Sequence, residues 1–406
     1  MMYSFALYLY ALAVILVSPF HKKARQMVKG QWKTFRILRK KIDRNGKYVW
    51  FHAASLGEFE QGRPLIERLR REHPEYKILL TFFSPSGYEV RKNYEGADVI
   101  CYLPFDTPGN VRSFLRLAHP VMAFFIKYEF WNNYLHVCRH RHIPVYSVSS
   151  IFRENQIFFR WYGRSYSKVL DCVEHFFVQN ERSKELLAGR GMTNVTVVGD
   201  TRFDRVLDIC RQAKHLPLVK AFKQDAVVLV AGSSWAPDED LMIPYFNAHP
   251  EMKMVIAPHV ISEAHLKEIE GKLTRPCIRY SQATEENVSE ADCLIIDGYG
   301  LLSSIYRYGE IAYVGGGFGV GIHNVPEAAV YGVPVIIGPN NKKFREAQYL
   351  LQAGGCLEVT DEETYNHTMD RLLSDKEYLA RCGRTAGKYI SGNAGATELI
   401  FNAIVF

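Results

Sequence analysis

Residues 311–327 read IAYVGGGFGVGIHNVPE, and this stretch decides how the second half of the chain folds. A short apolar run, which predicts a buried strand, ends in three glycines, and two more follow before a helix start marked by proline. Glycine permits close backbone approach and positive φ, so the turn is typical of strand ends that hold a phosphorylated ligand. We expect the following residues to contact it: Gly316, Gly317, Gly321, His323, Asn324 and Glu327. The alternative is a flexible glycine loop in which Glu327 only offsets the helix dipole.

An earlier strand of the same half ends in a similar way. The apolar run 227–232 is followed by Ser233 and Ser234, and an acidic helix start comes next. Gly232 permits close approach, and the two hydroxyls with the helix N-terminus can hold a phosphate. A plain turn with an N-cap explains the same residues equally well.

Two acids follow strands in the first half of the chain. Residues 52–60, HAASLGEFE, place Glu58 near the start of a predicted helix, and residues 127–133, KYEFWNN, place Glu129 after a later strand. Two carboxylates at the ends of strands of one sheet can act as a general base and its partner. Taken singly, each acid could equally be a helix-capping or surface charge.

Short apolar runs alternate with helical patterns along most of the chain, which predicts buried parallel strands joined by helices. A chain of 406 residues exceeds the roughly 250–300 that one core usually serves, so two domains are expected. The sequence therefore predicts an α/β protein of two doubly wound, Rossmann-like domains facing a cleft. The expected segments are an N-terminal domain at 48–200, a linker at 201–224, a second domain at 225–385 and a C-terminal helix at 386–406 that packs back on the first.

The N-terminus predicts a membrane attachment. Residues 1–20 carry no charge, and eleven Lys or Arg with a single acid follow between Lys22 and Lys47. We expect a retained anchor helix and a body on the cytoplasmic face of the membrane, because positive charge follows the apolar run. A cleaved signal or a buried core helix are the alternatives. The expected membrane-surface belt, residues 21–47, includes Lys22, Lys23, Arg25, Lys29 and Trp32.

Eight cysteines lie outside any metal-ligand spacing, which favours reduced buried thiols. No nucleic-acid motif accompanies the basic segment, so no nucleic acid is expected as a partner.

The ordered set of these motifs resembles the 3-deoxy-D-manno-octulosonic acid (Kdo) transferases of lipopolysaccharide synthesis. The resemblance covers nearly the whole chain and rests on the N-terminal segment and on the motifs ASLGE at 54–58, LPFDTP at 103–108, EFW at 129–131, GDTRFD at 199–204, AGSS at 231–234 and HNVPE at 323–327. Departures from the family pattern are Asn132 in place of Pro, Arg202 in place of Lys, Pro258-His259 in place of Pro-Arg-His, and Ala328 in place of Pro.

The resemblance implies a GT-B glycosyltransferase that moves Kdo from CMP-Kdo to the primary hydroxyl of a lipid A precursor, with inversion and without a metal or other cofactor. It implies that Glu58 is the general base and that Glu129 orients the acceptor or tunes Glu58. Arg202 and His259 would contact the donor, and Glu327 would accept from its ribose. The sequence leaves three alternatives: a GT-B enzyme that uses a UDP-sugar on a lipid acceptor, a sugar-nucleotide 2-epimerase, and a membrane-tethered scaffold without catalysis.

Overall fold

The structure, a computed structural model, describes residues 2–406. The chain divides into two compact units, the first formed by Met1–Arg205 with Gly395–Phe406 and the second by Val206–Ala394. The division falls within the stretch that the sequence suggested as a linker. That stretch is largely helical, with helices at Thr201–Arg211 and Pro217–Lys223.

Unit 1 is built on a seven-stranded sheet of parallel strands in the order β3-β2-β1-β4-β5-β6-β7. The strands are β1 Lys47–Ala53, β2 Tyr76–Phe82, β3 Val99–Tyr102, β4 Pro120–Ile126, β5 Val145–Ser150, β6 His175–Val178 and β7 Val195–Val197. Its helices are α1 Met2–Val17, α2 Lys22–Lys41, α3 Leu56–Glu72, α4 Pro85–Arg91, α5 Pro108–Ala118, α6 Asn132–His140, α7 Arg164–Ser167 and α8 Glu181–Ala188, followed by α9 Thr201–Arg211, which crosses into unit 2.

Unit 2 is also built on a seven-stranded sheet of parallel strands, in the order β10-β11-β9-β8-β12-β13-β14. The strands are β8 Val227–Ser234, β9 Met252–Pro258, β10 Cys277–Arg279, β11 Cys293–Ile295, β12 Ile311–Val314, β13 Val335–Ile337 and β14 Cys356–Glu358. The helices are α10 Pro217–Lys223, α11 Ala236–Ala248, α12 Glu263–Lys272, α13 Leu302–Ile305, α14 Val325–Ala329, α15 Arg345–Ala353, α16 Glu362–Ser374 and α17 Lys376–Gly392. The last helix, α18 Ala396–Asn402, belongs to unit 1.

The sequence prediction of two parallel-sheet α/β domains is confirmed. β7, β10 and β14 have three residues each and lie at sheet edges.

Both faces of the unit 1 sheet are covered, so successive strand residues are buried on opposite sides. Trp50 packs on one face against Phe114 and Phe125, while its neighbour Phe51 stacks on Phe124 on the other face. Such strands read as continuous apolar runs in the sequence because neither face meets water.

Helix α18 completes the second face of unit 1. Ala396 and Ile400 are buried in the cluster that contains Phe51. The carboxylate of Asp204 accepts hydrogen bonds from the backbone N–H of Gly395 and of Thr397, at 2.5 and 2.7 Å, and so fixes the start of the helix.

The predicted anchor helix at the N-terminus is not supported by the structure. Within residues 2–406 no single helix is both long and apolar enough to cross a membrane; Tyr3–Val17 and Lys22–Lys41, bent by 118° at their junction, meet the length and composition requirements only as a pair. Helix α2 packs on β3, where the Thr34 hydroxyl donates to the carbonyl of Tyr102 at 2.8 Å. The expected belt residues lie on its exposed side: Lys22, Lys23, Arg25, Lys29 and Trp32.

The cysteines are free thiols. Six of them are buried, while Cys210 and Cys277 are half-buried. This confirms the sequence interpretation of reduced thiols inside the fold.

In each sheet there is one point on either side of which the strand order continues toward opposite edges of the sheet. In unit 1 this point lies between β1 and β4, and in unit 2 between β8 and β12. Open parallel sheets bind their ligands beyond the carboxyl ends of the strands at such points.

Candidate active site

The switch point of unit 1 carries the two acids singled out in the sequence. Glu58 follows β1 and Glu129 follows β4. Helix α3 begins at Leu56, so Glu58 lies in its first turn. The Glu58 carboxylate accepts a hydrogen bond from the backbone N–H of Ala54 at 2.5 Å, which turns it back toward the end of β1.

Glu129 is held by two aromatic side chains. The indole N–H of Trp131 donates to Glu129 Oε2 at 2.7 Å, and Nε2 of the buried His52 lies 3.3 Å from the same oxygen. The other ring nitrogen of His52, Nδ1, lies 2.9 Å from the hydroxyl of Thr81 on β2. Three neighbouring strands therefore fix one carboxylate.

The environment of Glu58 changes its acidity. Burial, followed by the negative charge of Glu129, raises the pKa of Glu58 to about 7, against the opposing effect of the Ala54 N–H. A carboxylate with a pKa near neutral pH is suited to general-base catalysis, because it is partly deprotonated and yet basic enough to take a proton.

A third acid, Asp106, fixes the segment that follows Glu129. Asp106 is buried, and its carboxylate accepts from the backbone N–H of Asn133 and of Tyr134, both at 2.9 Å. It thereby caps helix α6, whose own N-cap residue Trp131 makes no side-chain cap. The hydroxyl of Tyr3, in the first turn of α1, donates to the same carboxylate at 2.8 Å. Burial raises the pKa of Asp106 to about 7.

The switch point of unit 2 carries the glycine-rich stretch and the turn after β8. Ser233 has a left-handed backbone with φ 53°, an uncommon conformation for a side-chain-bearing residue that recurs at functional strand ends. Ser234 is buried, and its hydroxyl donates to Glu239 at 2.8 Å. Of the two serines, Ser233 is therefore the one placed to offer its hydroxyl to a phosphate.

Several glycines of residues 315–321 pack closely against the backbone of neighbouring strand ends. A Cβ on Gly315 would lie 2.4 Å from the carbonyl of Ser233, and one on Gly317 would lie 2.5 Å from the Cα of Gly338. Gly316 and Gly321 adopt positive φ, at 92° and 109°. Gly319 is exposed, with no atom within 4 Å of such a Cβ. The glycines therefore allow the ends of β8, β12 and β13 to pack together and shape the turn.

Asp238 fastens this turn to helix α11. Its carboxylate accepts from the backbone N–H of Gly316 and of Trp235, both at 2.9 Å, and from the hydroxyl of Tyr313 at 2.8 Å. The sequence showed Asp238 only as an acid at a helix start. An acid in the first turn of a helix that directly follows a strand is the sequence pattern that could have marked it.

Three rings form a stack beside the turn. Trp235 stacks on His259 with centroids 4.7 Å apart, and His259 stacks on His323 at 4.4 Å. The indole N–H of Trp235 donates to Nε2 of His323 at 3.2 Å. Burial and the neighbouring His259 lower the pKa of His323. The stack brings two predicted donor contacts together and adds Trp235, which sequence reasoning missed.

The remaining candidates have defined positions. Asn324 donates from its side-chain amide to Glu327 at 2.6 Å, which orients this carboxylate in the first turn of α14. Arg202 lies in unit 1, and its guanidinium donates to Asp200 at 2.8 and 3.0 Å. His52, Trp131 and Asp106 were also missed, because their roles depend on partners far away in the sequence.

Comparison with known proteins shows which family the chain is similar to. Residues 29–205 match the family model described as 3-Deoxy-D-manno-octulosonic-acid transferase (kdotransferase). The 3-deoxy-D-manno-octulosonic acid transferase of Aquifex aeolicus is 28% identical over 82% of this chain and 87% of its own length. The protein of the same name from Bordetella pertussis is 26% identical over 88% of this chain and 86% of its own.

Solved structures show the same fold at low sequence identity. The UDP-GlcNAc 2-epimerase from Neisseria meningitidis, solved bound to UDP-GlcNAc, is 16% identical with a TM-score of 0.60, covering 87% of this chain and 98% of that one. MurG from Acinetobacter baumannii is 10% identical with a TM-score of 0.54, covering 88% and 99%. These structures show the fold alone. By the match of residues 29–205 to the family model, and by the curated relatives that match along most of the chain, the protein is similar to the Kdo transferases, a family of glycosyltransferases.

Proposed function

We propose that this enzyme transfers Kdo from CMP-Kdo to the primary hydroxyl of lipid IVA, the tetra-acylated lipid A precursor, with inversion and without a metal. The observation that carries the proposal is Glu58, a carboxylate at the switch point of its sheet with a pKa of about 7. A primary alcohol is far too weak an acid to ionise at neutral pH, so its attack on the donor requires such a base.

In this proposal each unit binds one substrate and stabilises the charge that develops on it. Unit 1 would bind the acceptor, and Glu58 would take its hydroxyl proton as the new glycosidic bond forms at the anomeric carbon of Kdo. Unit 2 would bind CMP, whose phosphate gains negative charge as the bond to the sugar breaks. The hydroxyl of Ser233 and the turn at 315–321 would stabilise that charge, and Glu327 would accept from the ribose hydroxyls.

The acceptor suggests a membrane setting. Lipid IVA carries acyl chains that stay in a bilayer and phosphates at its surface. Helix α1 exposes Phe5, Leu9 and Leu16, and the exposed side of α2 carries the basic belt. We therefore include in the proposal that α1 and the belt attach the enzyme to the cytoplasmic face of the inner membrane.

The test is an assay of the full chain with CMP-Kdo and lipid IVA in the presence of EDTA, read by mass spectrometry. The expected product is lipid IVA carrying added Kdo, and Glu58→Gln should lower its rate by at least about 100-fold while CMP binding is retained. A product formed from UDP-sugars but not from CMP-Kdo would replace the donor assignment. Transfer by Glu58→Gln at the wild-type rate would reject the base.

A further inference from the structure

An exposed aromatic loop in unit 1 has no part in the chemistry described above. The loop, residues 157–163, consists of two short 3-10 turns, Ile157–Phe159 and Trp161–Gly163. The side chains of Trp161 and Tyr162 are 88% and 62% exposed. Tryptophan is rarely left so exposed in a soluble protein, because its large ring gains most from leaving water.

The loop is firmly built, so the exposure of Trp161 is a property of its fold. Phe158 is buried and stacks on Tyr166, with centroids 5.5 Å apart. Gly163 packs against the carbonyl of Ile157, where a Cβ would overlap the oxygen. A well-packed base that presents two aromatic rings to the outside is typical of a contact surface.

Tyr166 places this loop beside the N-terminal helix. Its ring lies 5.6 Å from that of Tyr3 in α1, and its hydroxyl donates to the carbonyl of Phe130 at 2.8 Å. Phe130 is the residue after Glu129. The aromatic loop and the first turn of α1 therefore meet at the segment that carries the second acid of the site.

The charge around the loop is positive. Between residues 153 and 168 the chain carries four basic residues and one acid, Glu154, which pairs with Arg182. Arg153, Arg160 and Arg164 are exposed. Trp and Tyr favour the interface between headgroups and acyl chains, and arginine binds anionic headgroups.

We propose that the aromatic loop is a second membrane-contact point, which inserts Trp161 and Tyr162 into the headgroup region of an anionic phospholipid bilayer beside α1. The inference deepens the proposed function, since it rests on the enzyme meeting its acceptor at a membrane. A single attached helix leaves a domain free to tilt on the surface. A second contact restricts that tilt and keeps the Glu129 segment, which lies between the two, close to the headgroups.

The test compares the full chain with Trp161→Ser/Tyr162→Ser in a flotation assay on vesicles of phosphatidylglycerol and phosphatidylethanolamine. We expect at least about tenfold weaker binding by the double variant, which corresponds to about 1.4 kcal/mol. Tyr299→Ser removes an equally exposed ring from unit 2 and should bind like wild type. Brominated lipids should quench more fluorescence in wild type than in Trp161→Phe.

Turnover distinguishes this inference from the proposed function. The double variant should lose transfer to vesicle-borne lipid IVA and keep it on acceptor dissolved in detergent. Equal loss in both would show that the loop acts on a substrate and would overturn the membrane role, as would wild-type binding by the double variant or equal binding of the wild type to phosphatidylcholine vesicles. If no variant and no wild type transfers Kdo, the proposed function fails while the flotation result still decides the loop.

Discussion

At the scale of single residues, the site depends on two carboxylates with different surroundings. Glu129 is fixed by the indole of Trp131 and by His52, while Glu58 is held by the backbone N–H of Ala54. Burial, followed by the charge of Glu129, raises the pKa of Glu58, so Glu129 contributes to the basicity of Glu58.

Removing the charge of Glu129 should therefore change the pH dependence of catalysis. Below its pKa of about 7, Glu58 is protonated and inactive as a base, so the rate should rise with pH up to that value. In Glu129→Gln the repulsion is lost, the pKa of Glu58 falls, and the acid limb of the kcat/KM profile should move to lower pH. Because a carboxylate of lower pKa is also a weaker base, kcat should fall about tenfold.

The control for this prediction is Glu60→Gln, which removes an acid of the same helix that pairs with Arg91. Its acid limb should coincide with that of the wild type. A profile of Glu129→Gln that does not move would show that Glu129 leaves the base unaffected.

At the scale of elements, strand ends are brought together by small residues and buried acids. The turn after β12 packs against the ends of β8 and β13, and Asp238 ties it to α11. In unit 1, Asp106 plays the corresponding part, because it caps α6 and takes a hydrogen bond from α1. The N-terminal helix is thereby linked to the element that follows Glu129.

The packing of the glycine turn predicts a contrast between two similar substitutions. Gly317→Ala places a methyl group 2.5 Å from the Cα of Gly338, so the strand ends must separate. We expect a loss of about 1–3 kcal/mol in the free energy of unfolding and weaker CMP binding, by denaturant titration and calorimetry. Gly319→Ala adds the same methyl group in open space and should leave both unchanged. Equal behaviour of the two variants would contradict this packing.

At the scale of the whole molecule, the chain crosses from unit 1 to unit 2 and returns with its last twelve residues, Gly395–Phe406. Unit 1 therefore depends on helix α18, which is made last and closes one face of its sheet. Ile400 is completely buried in that face, while its neighbour Leu399 is 49% exposed.

This dependence can be measured. Ile400→Ala should lower the free energy of unfolding of unit 1 by about 2–5 kcal/mol, because it removes buried apolar contacts and leaves a cavity. Leu399→Ala should cost less than about 0.5 kcal/mol. Four of the five tryptophans lie in unit 1, so intrinsic fluorescence during urea unfolding reports mainly on that unit. An unchanged transition in Ile400→Ala would show that α18 contributes no stability.

The sequence by itself determined the two parallel-sheet domains and most of their strands, because strands buried on both faces leave continuous apolar runs. It also determined which strand ends carry acids, hydroxyls and glycines, since each lies next to its own strand in the chain. Only the tertiary structure decided which ends become neighbours: β1 beside β4 and β8 beside β12. His52, Trp131, Asp106 and Asp238 acquire their roles there, because hydrogen bonds between distant segments exist only after the crossover helices have set the strand order.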